Sequence, residues 1–282
     1  MQRMDIGGVR LEYEARGSGE PVVFIHGAHL GDTFAPLMEQ PSLAGFRRVR
    51  YRRRGFAGST RPEGPVSIAE GAADCLALIR SLGAEPAHGV GHSGGGVIAL
   101  QLALGAPDAV RSLSLLEPAL LDVPSGPQIS EQIERTAVRL YQAGDQAAAV
   151  DAFLQAACGP TYRAAVDNVL PGAMTQAIAD ADTFFRVDFP AIGEWAFRRE
   201  DAARIRQPAL VVLGAESDAV WRGYGEGHRR LLEWLPKARP FVLPWAAHLP
   251  QLENPTGLAQ GLAAFLEDVR DGLGASRTRA GG

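Results

Sequence analysis

Residues 91–95, Gly-His-Ser-Gly-Gly, form the strongest chemical motif in the sequence. They match the pattern G-x-S-x-G, in which a serine occupies a tight turn between a strand and a helix. Small residues around Ser93 let the strand and the helix approach closely, and the helix N-terminus directs backbone N–H groups at a developing oxyanion. The neighbouring residues support this interpretation, since 87–90 is typical of a strand and 97–104 of a helix. Ser93 is therefore the candidate nucleophile.

Two further segments supply groups that such a nucleophile requires. Residues 26–29, His-Gly-Ala-His, follow the apolar run 21–25, and a turn there can point a backbone N–H at the same oxyanion. The N–H groups of Ala28 and Gly94 are accordingly the candidate oxyanion donors. Of the six histidines, His248 alone lies in a loop after the last predicted strand. A neutral imidazole beside the serine can take the hydroxyl proton and later give it to the leaving group.

The acid that would orient His248 has two candidates. Asp218 ends the segment 214–218, Gly-Ala-Glu-Ser-Asp, which follows an apolar strand. Glu117 ends the apolar run 110–116 and is followed by proline. A carboxylate at either place could accept the imidazole N–H and stabilise the imidazolium. A plainer role, as a turn or helix cap for Asp218 or a polar strand end for Glu117, is the alternative. We favour Glu117 and retain both.

The elements that must position these residues alternate along the chain. Short apolar strands separated by helix-length segments predict an α/β protein with a doubly wound parallel sheet. Strands are predicted at 9–15, 21–26, 47–51, 87–91, 110–116, 209–213 and 240–243, and helices at 68–82, 95–104 and 257–269.

The stretch 121–206 interrupts this alternation. It shows helical patterns, clearest at 129–142 and 146–157 and weaker at 162–178 and 192–205, and no good strand. We interpret it as a helical insertion into a core formed by 1–120 and 207–271, and we predict a disordered tail at 272–282. The insertion is rich in aromatic residues, most of which we expect to pack and a minority to line a pocket.

Composition limits the class of protein. The chain has 282 residues, of which 46% are hydrophobic and 21% charged, and a net charge of −4. This charge favours neither nucleic acid nor an anionic membrane as a partner. Cys75 and Cys158 lack neighbours at metal-ligand spacing and are expected to be buried thiols of a cytoplasmic protein. We see no secretory signal and no apolar run long enough to span a bilayer. The basic run 47–54 is interpreted as a solvated strand end rather than an anion site.

Together the three motifs resemble the α/β-hydrolase fold family. Residues 54–59, Arg-Gly-Phe-Ala-Gly-Ser, are similar to the family's R-G-x-G-x-S loop, and 253–255, Glu-Asn-Pro, follow the histidine. The resemblance implies an eight-stranded, mostly parallel sheet, a helical cap over the active site, and an acyl-enzyme mechanism that needs neither cofactor nor metal. Some relatives, such as several haloalkane dehalogenases and zearalenone-lactone hydrolases, carry their acid at the position that Glu117 would occupy. Arg52 departs from the family, which usually has Asp there.

The serine nucleophile narrows the reactions expected of such a fold. Haloalkane dehalogenases and epoxide hydrolases of this family need a carboxylate where Ser93 stands. We therefore predict a serine hydrolase that cleaves a small, mainly apolar carboxylic ester or lactone, with His29, His92 and Trp195 as candidate substrate-binding residues. The alternatives are a carbon–carbon bond hydrolase of vinylogous diketones, a perhydrolase-like enzyme, or a slow-turnover receptor for a small ligand. A homodimer is left open.

Overall fold

A computed structural model describes the backbone of residues 1–280 and the side chains of residues 1–272. Within that part of the chain, eight strands form one sheet in the order β1-β2-β4-β3-β5-β6-β7-β8. The strands are β1 Gln2–Asp5, β2 Arg10–Arg16, β3 Pro21–Ile25, β4 Arg47–Arg52, β5 Ala87–His92, β6 Val110–Leu116, β7 Ala209–Gly214 and β8 Ala238–Leu243. β2 pairs antiparallel with β1 and β4, and every other pair is parallel. The eight-stranded, mostly parallel sheet is confirmed.

The central strands β3, β5, β6 and β7 are buried on both faces, which explains their mostly apolar sequences. In β3, Val23 and Ile25 belong to the hydrophobic cluster on one face, whereas Val22 and Phe24 belong to the cluster on the other. This alternation follows from the two-residue period of a strand. Because the central strands are parallel, their carboxyl ends meet at one edge, and the loops that follow them can bring distant residues together.

Helices cover both faces of the sheet. α2 begins with a capping box in which Ser67 and Glu70 satisfy each other's backbone N–H groups. The helices that accompany the sheet are α1 Ala35–Met38, α2 Ile68–Ser81, α3 Gly94–Gly105, α12 Ser217–Val220, α13 Gly223–Trp234, α14 Pro250–Glu253 and α15 Pro255–Ala280. Short 3₁₀ turns occupy Pro41–Leu43 and Pro107–Ala109. The prediction of disorder at 272–282 falls largely outside the described residues, which exclude the side chains of 273–282 and the backbone of 281–282.

Residues 121–206, the helical insertion, contain helices and no strand in the described structure. Its helices are α4 Gly126–Ile133, α5 Arg139–Gln142, α6 Gln146–Cys158, α7 Tyr162–Val169, α8 Ala173–Ala179, α9 Ala181–Thr183, α10 Phe189–Glu194 and α11 Arg199–Arg204. Single π-helical turns, Glu134–Val138 and Phe184–Asp188, join α4 to α5 and α9 to α10. The helix predicted at 162–178 is two helices, because Pro171 directly follows Leu170, the C-cap of α7, and Gly172, with φ 83°, is the N-cap of α8. Among all described helices, none is both long and apolar enough to cross a lipid bilayer.

Candidate active site

Ser93 lies at the turn between β5 and α3 in a strained conformation. Its φ of 52° and ψ of −120° are rarely adopted by a residue with a side chain. The flanking glycines make this turn sterically feasible. A Cβ at Gly91 would lie 2.4 Å from the carbonyl oxygen of Gly95, and one at Gly95 would lie 2.0 Å from that of Ile25. The turn therefore has the strand–turn–helix geometry that the motif predicted.

The two candidate oxyanion donors lie beside Ser93. Gly94 is the first residue of α3, so its N–H has no acceptor within the helix. Ala28 lines the same cavity as Ser93. A Cβ at Gly27 would lie 3.0 Å from Cβ of Ser93, so the loop after β3 lies directly against the nucleophile. Ala28 and Gly94 therefore both lie beside Ser93, the candidate nucleophile.

His248 forms its hydrogen bond with Glu117. Nδ1 of His248 lies 2.7 Å from Oε2 of Glu117, across 131 residues of sequence. The other carboxylate oxygen of Glu117 accepts hydrogen bonds from the backbone N–H of Gly214, at 2.7 Å, and from the hydroxyl of Ser217. Both side chains are buried, and His248 lines the cavity that contains Ser93. The structure thus brings together three of the four residues predicted as catalytic.

Asp218, the alternative acid, is engaged elsewhere. Its Oδ1 accepts a hydrogen bond of 2.8 Å from the backbone N–H of Gly225, in the first turn of α13. This is the capping role that sequence reasoning kept as the plainer alternative, and it uses the positive end of the helix dipole. The structure therefore does not bring Asp218 to His248, because its carboxylate is held by α13 and Ser217 occupies the position beside Glu117.

Burial sets the protonation of the His248–Glu117 pair. Desolvation lowers the pKa of His248 to about 3, so the imidazole is neutral. Desolvation also raises the pKa of Glu117 to about 8, against the hydrogen bonds from Ser217 and Gly214, which lower it. Both shifts disfavour a charged pair at rest.

The loop that carries His248 is held from several sides by residues that the sequence motifs did not reveal. The ring of Tyr224 stacks on His248, with centroids 4.2 Å apart and planes inclined by 18°. The hydroxyl of Tyr224 donates to the carbonyl oxygen of Ala157 at 2.6 Å. Glu253 accepts hydrogen bonds from the backbone N–H groups of Ala247 and Leu249, at 2.7 and 3.2 Å. The Glu-Asn-Pro segment was the available signal for this scaffold.

His92 supports the His248 loop instead of lining the cavity. Its Nε2 lies 2.7 Å from the carbonyl oxygen of His248, and its Nδ1 lies 3.2 Å from Nε2 of Gln251. These two bonds fit a neutral ring that donates from Nε2 and accepts at Nδ1. The predicted substrate-binding role of His92 is therefore not supported, because β5 directs this side chain away from the cavity and both ring nitrogens are used.

His29 and Trp195 also lie away from Ser93. His29 is buried among the aromatic rings of the insertion, with its ring centroid 4.3 Å from that of Phe184, and burial lowers its pKa to about 3. Trp195 donates from Nε1 to the side-chain oxygen of Gln101 at 2.9 Å and stacks on Phe197. It lines a neighbouring cavity. The structure therefore places both residues in packing positions rather than in the cavity at Ser93.

The cavity at Ser93 is small and mainly apolar. It encloses about 60 Å³. Its walls come from the core loops and from the helical insertion: Ala28, Ser93, Ala119, Leu121, Ile129, Ile133, Phe153, Ala157, Phe184, Phe189, Ile192, Trp221, Tyr224 and His248. Two of these residues, Leu121 and Phe189, also line an outer apolar cleft of about 590 Å³ between α4, α10 and the two π-helical turns. They form the wall that separates the two spaces.

The basic run 47–54 is paired internally. Arg53 and Asp188 are both buried, and two hydrogen bonds of 3.1 and 2.5 Å join them. Arg54 makes a similar fork with Asp74. The remaining ion pairs are Arg50 with Glu14 and Asp32, and Arg52 with Glu12 and Asp32. The predicted solvated strand end is therefore wrong for Arg50, Arg52, Arg53 and Arg54, because carboxylates of β2, α2, the loop after β3 and the insertion pair with these side chains.

No cluster of three or more His, Cys, Asp or Glu side chains in the described part of the chain could hold a metal ion.

Comparison with known proteins places the chain among the relatives that its motifs resemble. Residues 22–260 match the alpha/beta hydrolase family. This match spans most of the 282 residues and includes Ser93, Glu117 and His248. The chain therefore belongs to the alpha/beta hydrolase family.

Individual relatives differ in the reactions that their names describe. A dihydrolipoyllysine-residue acetyltransferase component of an acetoin cleaving system from Pseudomonas putida is 30% identical, over 94% of this chain and 69% of its own length. The 2-(acetamidomethylene)succinate hydrolase of Mesorhizobium japonicum is 28% identical, over 94% of this chain and 95% of its own. A thermophilic esterase structure from Thermogutta terrifontis matches with a TM-score of 0.81 and 23% identity, over 95% of this chain and 99% of its own, which shows a shared fold.

Proposed function

We propose that this protein is a serine hydrolase that cleaves a carboxylic ester or lactone through an acyl-enzyme formed on Ser93. The observation that carries the proposal is the 2.7 Å hydrogen bond between His248 Nδ1 and Glu117, with His248 and the strained Ser93 lining one cavity. A buried carboxylate on Nδ1 fixes the tautomer in which Nε2 is free to accept a proton.

The mechanism follows from these positions. Oγ of Ser93 attacks the carbonyl carbon while Nε2 of His248 takes the hydroxyl proton, and the N–H groups of Ala28 and Gly94 receive the negative charge on the carbonyl oxygen. The carbon–oxygen bond to the leaving group then breaks as His248 protonates that oxygen. Water attacks the acyl-enzyme with His248 again as base, which releases the acid and restores Ser93. Glu117 stabilises the transient imidazolium in both halves.

The walls of the cavity favour an apolar substrate with a small group at the reaction centre. A space of about 60 Å³ has room for only a few water-sized groups, since about 10–15 Å³ of such a space holds one water. The larger part of a substrate must then extend past Leu121 and Phe189 into the outer cleft, whose lining is mainly apolar. We infer that the helical insertion acts as a cap and that this wall opens when a longer substrate binds.

The experiment that tests the proposal is intact-mass analysis after treatment with a fluorophosphonate, on the wild type and on Ser93→Ala. The proposal expects one adduct on the wild type and none on the variant, together with multiple turnovers of a short p-nitrophenyl ester. No adduct on the folded wild type would refute it. A single adduct with one slow ester turnover would instead favour the ligand-receptor alternative. Turnover of a vinylogous diketone without ester hydrolysis would favour the carbon–carbon bond hydrolase. Formation of a peracid without ester hydrolysis would favour the perhydrolase-like enzyme.

A further inference from the structure

The guanidinium of Arg53 joins the helical insertion to the loop that follows β3. Nη1 and Nη2 donate to the carboxylate of Asp188, which belongs to the π-helical turn before α10. Nε donates to the carbonyl oxygen of His26 at 3.1 Å, and Nη2 donates to that of Gly27 at 3.0 Å. Both charged side chains are at least nine-tenths buried, since Arg53 is 9% and Asp188 8% exposed. Four hydrogen bonds therefore converge on one buried cation.

One of these acceptors shares a peptide unit with a candidate oxyanion donor. The carbonyl of Gly27 and the N–H of Ala28 belong to the same trans peptide, so they point in opposite directions in one plane. Nδ1 of His26 donates to the same Gly27 oxygen at 2.8 Å, while its Nε2 accepts from the backbone N–H of Arg53 at 3.0 Å. Two donors thus hold the carbonyl end of this peptide and fix the direction of its N–H.

We propose that Arg53 is a positioning residue that couples docking of the helical insertion, through Asp188, to the orientation of the Gly27–Ala28 peptide. The proposal rests on the proposed function, because it assigns the Ala28 N–H to the oxyanion. Donation to the Gly27 oxygen also polarises the peptide and strengthens its N–H as a donor. A buried guanidinium is stable only beside its counter-ion, so Arg53 holds this place when the insertion supplies Asp188. The oxyanion site is complete when the insertion is docked.

The structure provides a matched control. Arg61 also reaches from the core to a buried carboxylate of the insertion, Asp180, and it donates to the carbonyl oxygen of Gly55 and the hydroxyl of Thr183. This second bridge holds the insertion without touching residues 26–28. Arg61→Lys therefore weakens docking of the insertion in general, whereas Arg53→Lys and Asp188→Asn act on the bridge that contacts the loop.

The first measurement observes the Gly27–Ala28 peptide directly by NMR and does not depend on enzyme activity. Protein labelled with ¹³C at glycine carbonyls and ¹⁵N at alanine gives a cross-peak for each Gly–Ala pair, and the sequence has seven such pairs, including Gly27–Ala28. We expect Arg53→Lys and Asp188→Asn to move the Gly27 ¹³C and Ala28 ¹H resonances, and Arg61→Lys to leave them in place. An unmoved Gly27–Ala28 cross-peak in Arg53→Lys or in Asp188→Asn would overturn the proposal, as would an equal shift in Arg61→Lys. If Arg53→Lys does not fold, Asp188→Asn decides alone.

The second measurement tests how strongly the site stabilises an oxyanion. The affinity for a trifluoromethyl ketone, which forms an oxyanionic hemiketal on the serine, should fall together with kcat. We expect a loss of about tenfold to hundredfold in both for Arg53→Lys, below the 10²–10³ of removing a donor outright, with KM changed by less than about threefold. Equal losses in Arg61→Lys, or a change confined to KM, would contradict the proposal. Failure of the proposed function is distinguishable, because it appears on the wild type as no fluorophosphonate adduct.

Discussion

The choice between Glu117 and Asp218 leads to the sharpest prediction for activity. In Glu117→Gln, the amide oxygen can still accept from Gly214 N–H and the Ser217 hydroxyl, as Oε1 of Glu117 does now. This leaves the amide NH₂ facing Nδ1 of His248, where Oε2 lies at 2.7 Å. A donor at that position favours the tautomer with the proton on Nε2. His248 then cannot accept the proton of Ser93.

The expected size of the loss follows from this change of tautomer. The equivalent loss of a carboxylate in a serine–histidine–acid site costs about 10⁴-fold in kcat, which is about 5.4 kcal/mol at 1.36 kcal/mol per factor of ten. Asp218→Asn keeps an oxygen acceptor for the N–H of Gly225, so only the charge at the first turn of α13 is lost. A helix-terminal charge contributes about 0.3–1 kcal/mol to stability, and we expect kcat of this variant to remain within about threefold of the wild type.

Steady-state hydrolysis of a short p-nitrophenyl ester gives kcat for both variants, with thermal unfolding as the check that each is folded. The rate of fluorophosphonate labelling provides an independent measure of Ser93 reactivity. Glu117→Gln should lose both together, since each needs His248 as base. Two mild and equal losses would refute the assignment of Glu117. A large loss confined to Asp218→Asn would show that His248 pairs with Asp218 instead of Glu117 during the reaction.

Two further predictions concern the pH dependence and the shape of the cavity. The working form needs neutral His248 and ionised Glu117, and burial raises the pKa of Glu117 to about 8. We therefore expect kcat/KM to fall as pH decreases through the apparent pKa of the coupled pair, which lies above the ordinary 4.5 of a glutamate. A profile of kcat/KM that stays flat from about pH 5 to 9 would contradict this. Leu121→Ala should remove part of the wall between the cavity and the outer cleft and raise the octanoate-to-acetate ratio of kcat/KM about tenfold, as expected for a change of a few methylene groups in an apolar pocket. Val169→Ala, on the exposed surface of the insertion, is the control, and an unchanged ratio in Leu121→Ala would show that the wall does not limit longer substrates.

The central strands β3, β5, β6 and β7, whose side chains are buried on both faces, were predicted within one residue of their observed bounds. β6, Val110–Leu116, begins and ends where the apolar run predicted. β1, Gln2–Asp5, was missed because it is a polar edge strand with mostly exposed side chains, so no pattern of burial marks it. α13, Gly223–Trp234, was missed because three glycines in its first half lower the intrinsic helix propensity. Its packing against β7 and β8 stabilises the helix instead, which is a tertiary effect.

Some residues of the candidate site could be predicted from local sequence, and others depend on contacts between distant parts of the chain. Ser93 was identified because its chemistry requires a turn encoded within five residues, and His248 because it follows the last strand. The acid could not be chosen from sequence, since two strand ends carry carboxylates and only the packing of α13 shows that one of them is a helix cap. The structure places the ring of His92 beside Gln251 and the His248 loop, contacts that the periodicity of β5 does not reveal.

The ion pair of Arg53 and Asp188 is a long-range contact that the sequence did not reveal and that bears on the candidate site. The two residues are separated by 135 positions, and the sequence around Arg53 is typical of a solvated basic run. An isolated arginine in the core would be strongly destabilising, so its presence there requires a carboxylate that only the helical insertion supplies. The same burial gives the cation its effect on the Gly27–Ala28 peptide, because a hydrogen bond from a charge is stronger where water is excluded. In our proposal, the residue that docks the insertion also orients the N–H group that would receive the oxyanion beside Ser93.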